Sequence, residues 1–428
     1  MFGDLILFGS GVLMLVVSIL ITVKTRFVQF RKIPSMFRLL FHPQLEGHQT
    51  VQSRRALFTA MSTTLGLSTI VAPVIAIRMG GPGVVVGFLL ASFLGAALNY
   101  AEVTNAIRFR KIKESHIEGG PMCYLTPFWA KWYALFASLL MMAWSSAQAN
   151  QLSAMLSSPL LGNYAIPKWG TGAFLAVVVT LILIGGIKRI SSVSAKLVPT
   201  MFFLYVGASL WIVAMNSAQL PAVFHQIWSS CFHPQAFGTG ALIGGVVSAF
   251  RWGMMKGLQG SEAGIGTQAI PHSMAEAKSA EEQGILSMVS TYTAGILLVL
   301  SSLVTLLTGN WLDTTLPVGI SMVAATFQHY FSYIGLGIVA MSSLLFAFGT
   351  ILGNSFNGSQ CFLYLTKRRY LKVFYIGSAA LVLYGSLANT TTLWGNIDYV
   401  LAPLMVPHMI VLLFLTFSRK SLLLKEAT

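Results

Sequence analysis

Charge is what this sequence has least of. Of its 428 residues, 12 are acidic and 27 are lysine or arginine, so only 9% are charged. A soluble domain carries about 25%. With 55% hydrophobic residues and a mean hydropathy of +0.74, the chain lacks the polar residues to cover a soluble surface, which leaves lipid as its solvent. Cysteine is scarce as well. Cys123, Cys231 and Cys361 have neither metal-ligand spacing nor a disulfide framework, and read as packing residues. There is no HExxH helix, Walker loop, paired CxxC or nucleophile elbow, so a membrane enzyme has little support. The opening MFGDLILFGSGVLML lacks a basic n-region and a clear cleavage site, and reads as a retained first span.

What is present is a series of apolar runs of the length that crosses a hydrocarbon core of roughly 30 Å. They fall at 4–23, 56–77, 83–107, 132–157, 169–187, 195–216, 237–257, 284–308, 332–353, 372–390 and 396–418, eleven in all, the last two parted by a short polar hairpin, NTTTLWGN, at 389–396. The net charge of +15 does not mark a nucleic-acid binder, because the basic residues lie in short blocks between spans. All of the 27 lysines and arginines except Arg78 and Lys168 fall on alternate connections. By the positive-inside rule this puts the N-terminus outside and the C-terminus in the cytoplasm. The stretch TRFVQFRKIPSMFRLLF at 25–41 sets Phe27, Phe30, Phe37, Leu39 and Leu40 among charges, as in a helix lying on the cytoplasmic interface against lipid.

The second span breaks the rules of a simple packing helix. GLSTIVAPVIAIRMGGPG at 66–83 follows Ser62, Thr63 and Thr64. Pro73 lacks an amide hydrogen and frees the carbonyl of Thr69. Hydroxyls beside freed carbonyls are hard ligands suited to Na+, and irregular backbone at membrane depth is tolerated where it lines a cavity. Close packing through small residues accounts for the same composition. The seventh span offers a counterpart in GTGALIGGVVSAF at 238–250, with Gly244 and Gly245 near its middle. Five spans run from the second to the sixth and five from the seventh to the eleventh. Two sets of five enter the membrane in opposite directions, as in an inverted-repeat transporter. Polar residues within or beside other spans are Gln148, Asn150, Thr350, Asn354 and Ser355. Glu102 is near enough to Arg108 to pair with it, and His408 reads as a hydrogen-bonded structural histidine.

Several blocks carry a resemblance: TRFVQFR at 25–31, GLSTIVAPVIAIRMGGPG at 66–83, YAE at 100–102, GGPMCYL at 119–125, QAN at 148–150, GLQGSEAGIGTQAIPHSMAEA at 257–277, QG at 283–284 and FAFGTILG at 346–353. In that order they resemble the alanine/glycine:cation symporter family (the sodium:alanine symporters) of the amino acid–polyamine–organocation group. The resemblance implies an all-α membrane protein with a LeuT-like five-plus-five repeat, 56–216 and 237–418, preceded by an extra helix at 4–23. It implies import of a small neutral amino acid, alanine or glycine, with Na+ or sometimes H+ across a bacterial cytoplasmic membrane, by a monomer or weak oligomer with no other cofactor. By position it implies substrate contacts from Thr63, Gly66, Leu67, Gln148, Thr350, Asn354 and Ser355. Cation contacts would come from Thr69 and Thr350 with carbonyls near Gly66 and Val71. The chain also departs from the family. Leu67, Ser68 and Thr69 stand where threonine, glycine and asparagine are usual, Thr63 replaces an acidic residue, and Asn354 replaces a tryptophan. Rival functions are a carrier of another neutral amino acid coupled to H+, and a transport-inactive sensor on the same scaffold. In the loop after the seventh span, Glu262 is a candidate inner gate, paired with a cytoplasmic arginine such as Arg108 or Arg110; a solvated turn is the bland alternative.

Overall fold

The computed structural model describes residues 2–41, 50–114, 116–232, 249–313, 316 and 319–418, and they are overwhelmingly helical. In chain order the helices are α1 (Phe2–Lys24), α2 (Val28–Arg31), α3 (Ile33–Phe41), α4 (Ser53–Thr64), α5 (Leu67–Gly80), α6 (Val84–Phe109), α7 (Pro127–Leu156), α8 (Lys168–Leu183), α9 (Gly186–Met215) and α10 (Leu220–Phe232). A π-helical turn over Ala249–Met254 leads into α11 (Met255–Gly260) and α12 (Ala269–His272). Then come α13 (Ala280–Thr308), α14 (Ile320–Leu365), α15 (Leu371–Leu387) and α16 (Thr390–Phe417). Among the described residues six helical segments are long and apolar enough to cross a membrane: Ser53–Gly80, Val84–Phe109, Gly186–Met215, Ala280–Thr308, Ile320–Leu365 and Tyr399–Phe417. The expected seventh span lies largely outside the described residues, and with it Gly244 and Gly245.

The second span is broken as expected, but not at its proline. The helix stops at Thr64, turns through Leu65 and extended Gly66, and restarts as α5. Pro73 sits inside α5, which continues through it. Proline is tolerated there because neighbours in a bundle satisfy the backbone it frees. Elsewhere the boundaries shift. The stretch NTTTLWGN is not a hairpin: α16 starts at Thr390, so the turn is confined to Ala388 and Asn389. A helix from Ile320 breaks at Ser332, whose φ is 54°, so the ninth span starts there as expected but runs on to Leu365. The interfacial stretch is two helices, since Arg26 and Phe27 adopt left-handed φ and Lys32 ends α2. Helix α10 was not anticipated.

Two small ties organise the ends of the spans. A parallel pair, Val51 with Ala275 and Gln52 with Glu276, joins the entry of α4 to the segment after α12. Arg110 donates to the carbonyls of Ser273, at 2.9 Å, and Ala275, at 2.6 Å. Ser279 caps α13 by accepting the amide of Glu282 at 3.1 Å, with Glu281 and Glu282 in the first turn where the helix dipole favours acids. Helices α4, α5, α7, α13 and α14 pack around one another in the bundle interior. All three cysteines are free, and burial pushes the Cys123 thiol, in the connection before α7, up to about 11. That suits an unreactive packing thiol.

Candidate functional site

The site forms where the chain breaks. Gly66 is extended, and a Cβ there would lie 2.7 Å from Thr350 Oγ1 and 3.1 Å from Gln148 Oε1. Glycine lets the broken backbone approach α7 and α14 this closely. The first amide of α5, Leu67 N, has no partner within its helix; it donates to Gln148 Oε1 at 2.8 Å. On the α4 side, Thr350 Oγ1 donates to Leu65 O at 3.4 Å. Thr69 folds back, its Oγ1 donating to Gly66 O at 2.7 Å. Thr69, Gln148 and Thr350 therefore converge on the Leu65–Gly66 break from three helices.

A cavity of about 310 Å³ opens beside this break. Its walls include Thr63 from α4, Ser68 and Ala72 from α5, Trp144 and Gln148 from α7, Thr350 and Asn354 from α14, and Ile397 and Leu401 from α16. Trp252 and Lys256, from the described end of the expected seventh span, and Gln259 and Glu262, just beyond it, close the cavity. Asn354 is wholly buried, and neither atom of its amide has a hydrogen-bond partner.

Of the residues expected to contact substrate, Thr63, Gln148, Thr350 and Asn354 line this cavity and Gly66 adjoins it through Thr350 and Gln148. Leu67 contributes its backbone amide, while its side chain is buried in the apolar core. Ser355 is turned away, its hydroxyl 3.2 Å from that of Ser378 on α15. Of the cation candidates, Thr69 and Thr350 bracket the break, and Val71 is buried a turn further along α5. Ser68, Trp144, Trp252 and Lys256 were missed. They fall on segments singled out for other residues, and only packing across helices reveals which of their side chains reach the cavity.

Glu262 is neither in a solvated turn nor paired with Arg110. It is buried with a left-handed φ of 53°, and that turn points it inward. Its carboxylate accepts from Thr63 Oγ1 at 3.1 Å and from Thr267 Oγ1. Arg110 is engaged with backbone carbonyls instead. Nor does Glu102 pair with Arg108; it lies 3.9 Å from His408 Nδ1. Among the described residues there is no cluster of three or more His, Cys, Asp or Glu side chains placed to hold a metal ion. The oxygens gathered at the break are hydroxyls, carbonyls and one amide.

A helix interrupted inside an apolar bundle, beside a cavity lined from several helices, is an arrangement that transporters use. The comparisons agree and narrow the class. A profile of the sodium:alanine symporter family matches residues 5–424, and the chain belongs to that family, one of transporters rather than enzymes. It is 31% identical over 419 residues to an uncharacterized transporter of Haemophilus influenzae, covering 96% of this chain and 91% of that one. It is 29% identical to the sodium/alanine symporter AgcS of Methanococcus maripaludis, covering 95% and 91%. It is 25% identical to a probable sodium/glutamine symporter, GlnT, of Bacillus subtilis, covering 95% and 85%. Among solved structures, a mutant of the Eremococcus coleocola manganese transporter matches with a TM-score of 0.52 at 13% identity over 88% of this chain and 79% of that one. That likeness concerns the fold alone.

Proposed function

We propose that the protein imports a neutral amino acid together with Na+ across the cytoplasmic membrane. The observation that carries this reading is the Leu65–Gly66 break, where hydroxyls, carbonyls and a helix N-terminus meet at a cavity. The N-terminus of α5 is partially positive and suits the substrate carboxylate. Gln148 Oε1 occupies that position at Leu67 N and would yield it or share it. Thr69, Thr350 and the carbonyls near Gly66 and Val71 offer hard oxygens for Na+. With ion and substrate bound at one break, each raises the affinity for the other, which is the basis of coupling. Family membership supports the sodium:amino-acid pairing.

The same reading takes the chain as eleven spans, an added first helix before an inverted repeat of 56–216 and 237–418, with the N-terminus outside. The alternation of basic connections supports that orientation. Alanine and glycine are the substrates that the family resemblance favours. A specific observation favours a polar side chain instead: the unpaired amide of Asn354 faces a cavity whose 310 Å³ would hold about ten waters, more than alanine needs. The relative named for glutamine is consistent with that second reading.

Thr69→Ala in proteoliposomes tests the cation assignment. Half-maximal Na+ for uptake of L-alanine, or of whichever L-amino acid is taken up, should rise about tenfold, the value of roughly 1.4 kcal/mol of lost coordination, with expression unchanged. Unaltered Na+ dependence would reduce Thr69 to a packing residue.

A further inference from the structure

Outside the cavity, one buried acid has no obvious task. Glu102 is wholly buried in α6, and neither of its carboxyl oxygens has a hydrogen-bond partner. An ionised carboxylate away from water is retained only with donors or a cation to offset its desolvation. The titratable groups facing Glu102 are His408 from α16, Tyr124 from the connection before α7, Tyr133 from α7, and Glu262 from the loop after α11. None is a lysine or arginine. On its own helix, Arg108 is six residues on, about 9 Å along the axis.

His408 does not donate to Glu102, because both of its ring nitrogens are engaged elsewhere. Its Nδ1 is 2.9 Å from Gly264 O, and a carbonyl only accepts, so that nitrogen carries a hydrogen. Its Nε2 is 2.7 Å from Tyr124 Oη. A tyrosine hydroxyl donating there completes a neutral ring. The remaining contact, Nδ1 to Glu102 Oε1 at 3.9 Å, is too long for a hydrogen bond. The backbone N–H groups of Gly264 and Gly266 approach the carboxyl group as the donors an ionised carboxylate would use, but stay outside hydrogen-bond geometry in this conformation.

We infer that Glu102 is an intramembrane proton-binding site, holding its carboxyl group protonated in this conformation and ionising when the glycine loop 262–268 rearranges. The ligand is a proton from water, and the step is simple protonation of a carboxylate. The loop is suited to the role. Gly264 and Gly266 have φ of 84° and 85°, and a Cβ at Gly266 would lie 2.9 Å from His408 Nε2. The same loop carries Glu262, which accepts from Thr63 at the cavity. Movement that frees Glu262 from Thr63 also moves the backbone lying over Glu102. The proton site stands apart from the symport reading; only its link to uptake rests on it.

Infrared difference spectra of the purified full-length protein in lipid vesicles, between acid and alkaline buffer, test the site without a substrate. The wild type should show the carbonyl stretch of a protonated, water-excluded carboxyl group. Glu102→Gln should remove that band, and Glu102→Asp should shift it. The band persisting unchanged in Glu102→Gln, or no such band in the wild type, overturns the proposal. If Glu102→Gln does not fold, an unshifted band in Glu102→Asp overturns it equally. The link to transport is read separately, from Na+-driven L-alanine uptake across pH. The wild-type profile should flatten in Glu102→Gln, and an unchanged profile overturns the link. Absence of uptake in the wild type, with the band behaving as described, contradicts symport and leaves the proton site supported.

Discussion

A fully buried amide with both polar atoms unpaired costs about 1–3 kcal/mol, and Asn354 is in that condition beside a cavity. A substrate with a side-chain amide or hydroxyl would repay the cost, whereas alanine would not reach it. Asn354→Leu should therefore weaken competition by L-glutamine or L-serine about tenfold, from roughly 1.4 kcal/mol of lost hydrogen bonding, and leave L-alanine nearly unaffected. Inhibition constants for the three amino acids check this; equal shifts for all three would mean that Asn354 does not read the side chain. The sequence marked Asn354 as a polar residue beside the ninth span, and the family resemblance made it a substrate contact. What it could not show is that Asn354 stays unpaired while Ser355, one residue on, finds Ser378. Adjacent helical residues point in different directions, and their neighbours come from other spans.

The broken helix is the element on which the account turns. Its existence was legible, because glycine and hydroxyls crowd into an apolar run. Its position was not, since proline draws attention to 73 while the chain gives way at Leu65 and Gly66. Inside a bundle, a proline removes one hydrogen bond, which neighbours replace. A glycine touching two other helices fixes the local geometry. Gly66→Ala places a methyl group 2.7 Å from Thr350 Oγ1 and should cut uptake at least about tenfold, a barrier change of roughly 1.4 kcal/mol, while the protein still inserts. Gly337→Ala in α14, with nothing within 4 Å of the added carbon, is the control and should transport normally. Polarity misled at NTTTLWGN, where threonines and asparagine open a helix instead of forming a loop. Fluorescence-detected chromatography separates misfolding from lost transport in both glycine variants.

Over the whole molecule, composition and the spacing of apolar runs sufficed for a multi-pass helical protein. The ordered motifs sufficed for the family, which the profile match over 5–424 establishes. The assembly of the site was beyond reach of either. Thr63 and Glu262 are 199 residues apart, and so distant a pairing leaves no local trace. For that reason Glu262 was read as an inner gate paired with a cytoplasmic arginine, when the fold turns it inward onto Thr63 and Thr267. Its hydrogen bond to Thr63 joins the helix before the break to the glycine-rich loop 262–268.

The central claim is that a Na+ gradient drives concentrative uptake of a neutral amino acid through this cavity. Purified protein in proteoliposomes, given radiolabelled L-alanine, glycine, L-serine or L-glutamine, tests it with an inward Na+ gradient or with K+ replacing Na+. The account predicts accumulation of at least one of them above its external concentration with Na+, collapsing when K+ replaces it. Equal uptake with and without Na+, or no uptake of any of the four by protein that is folded and inserted, would contradict it.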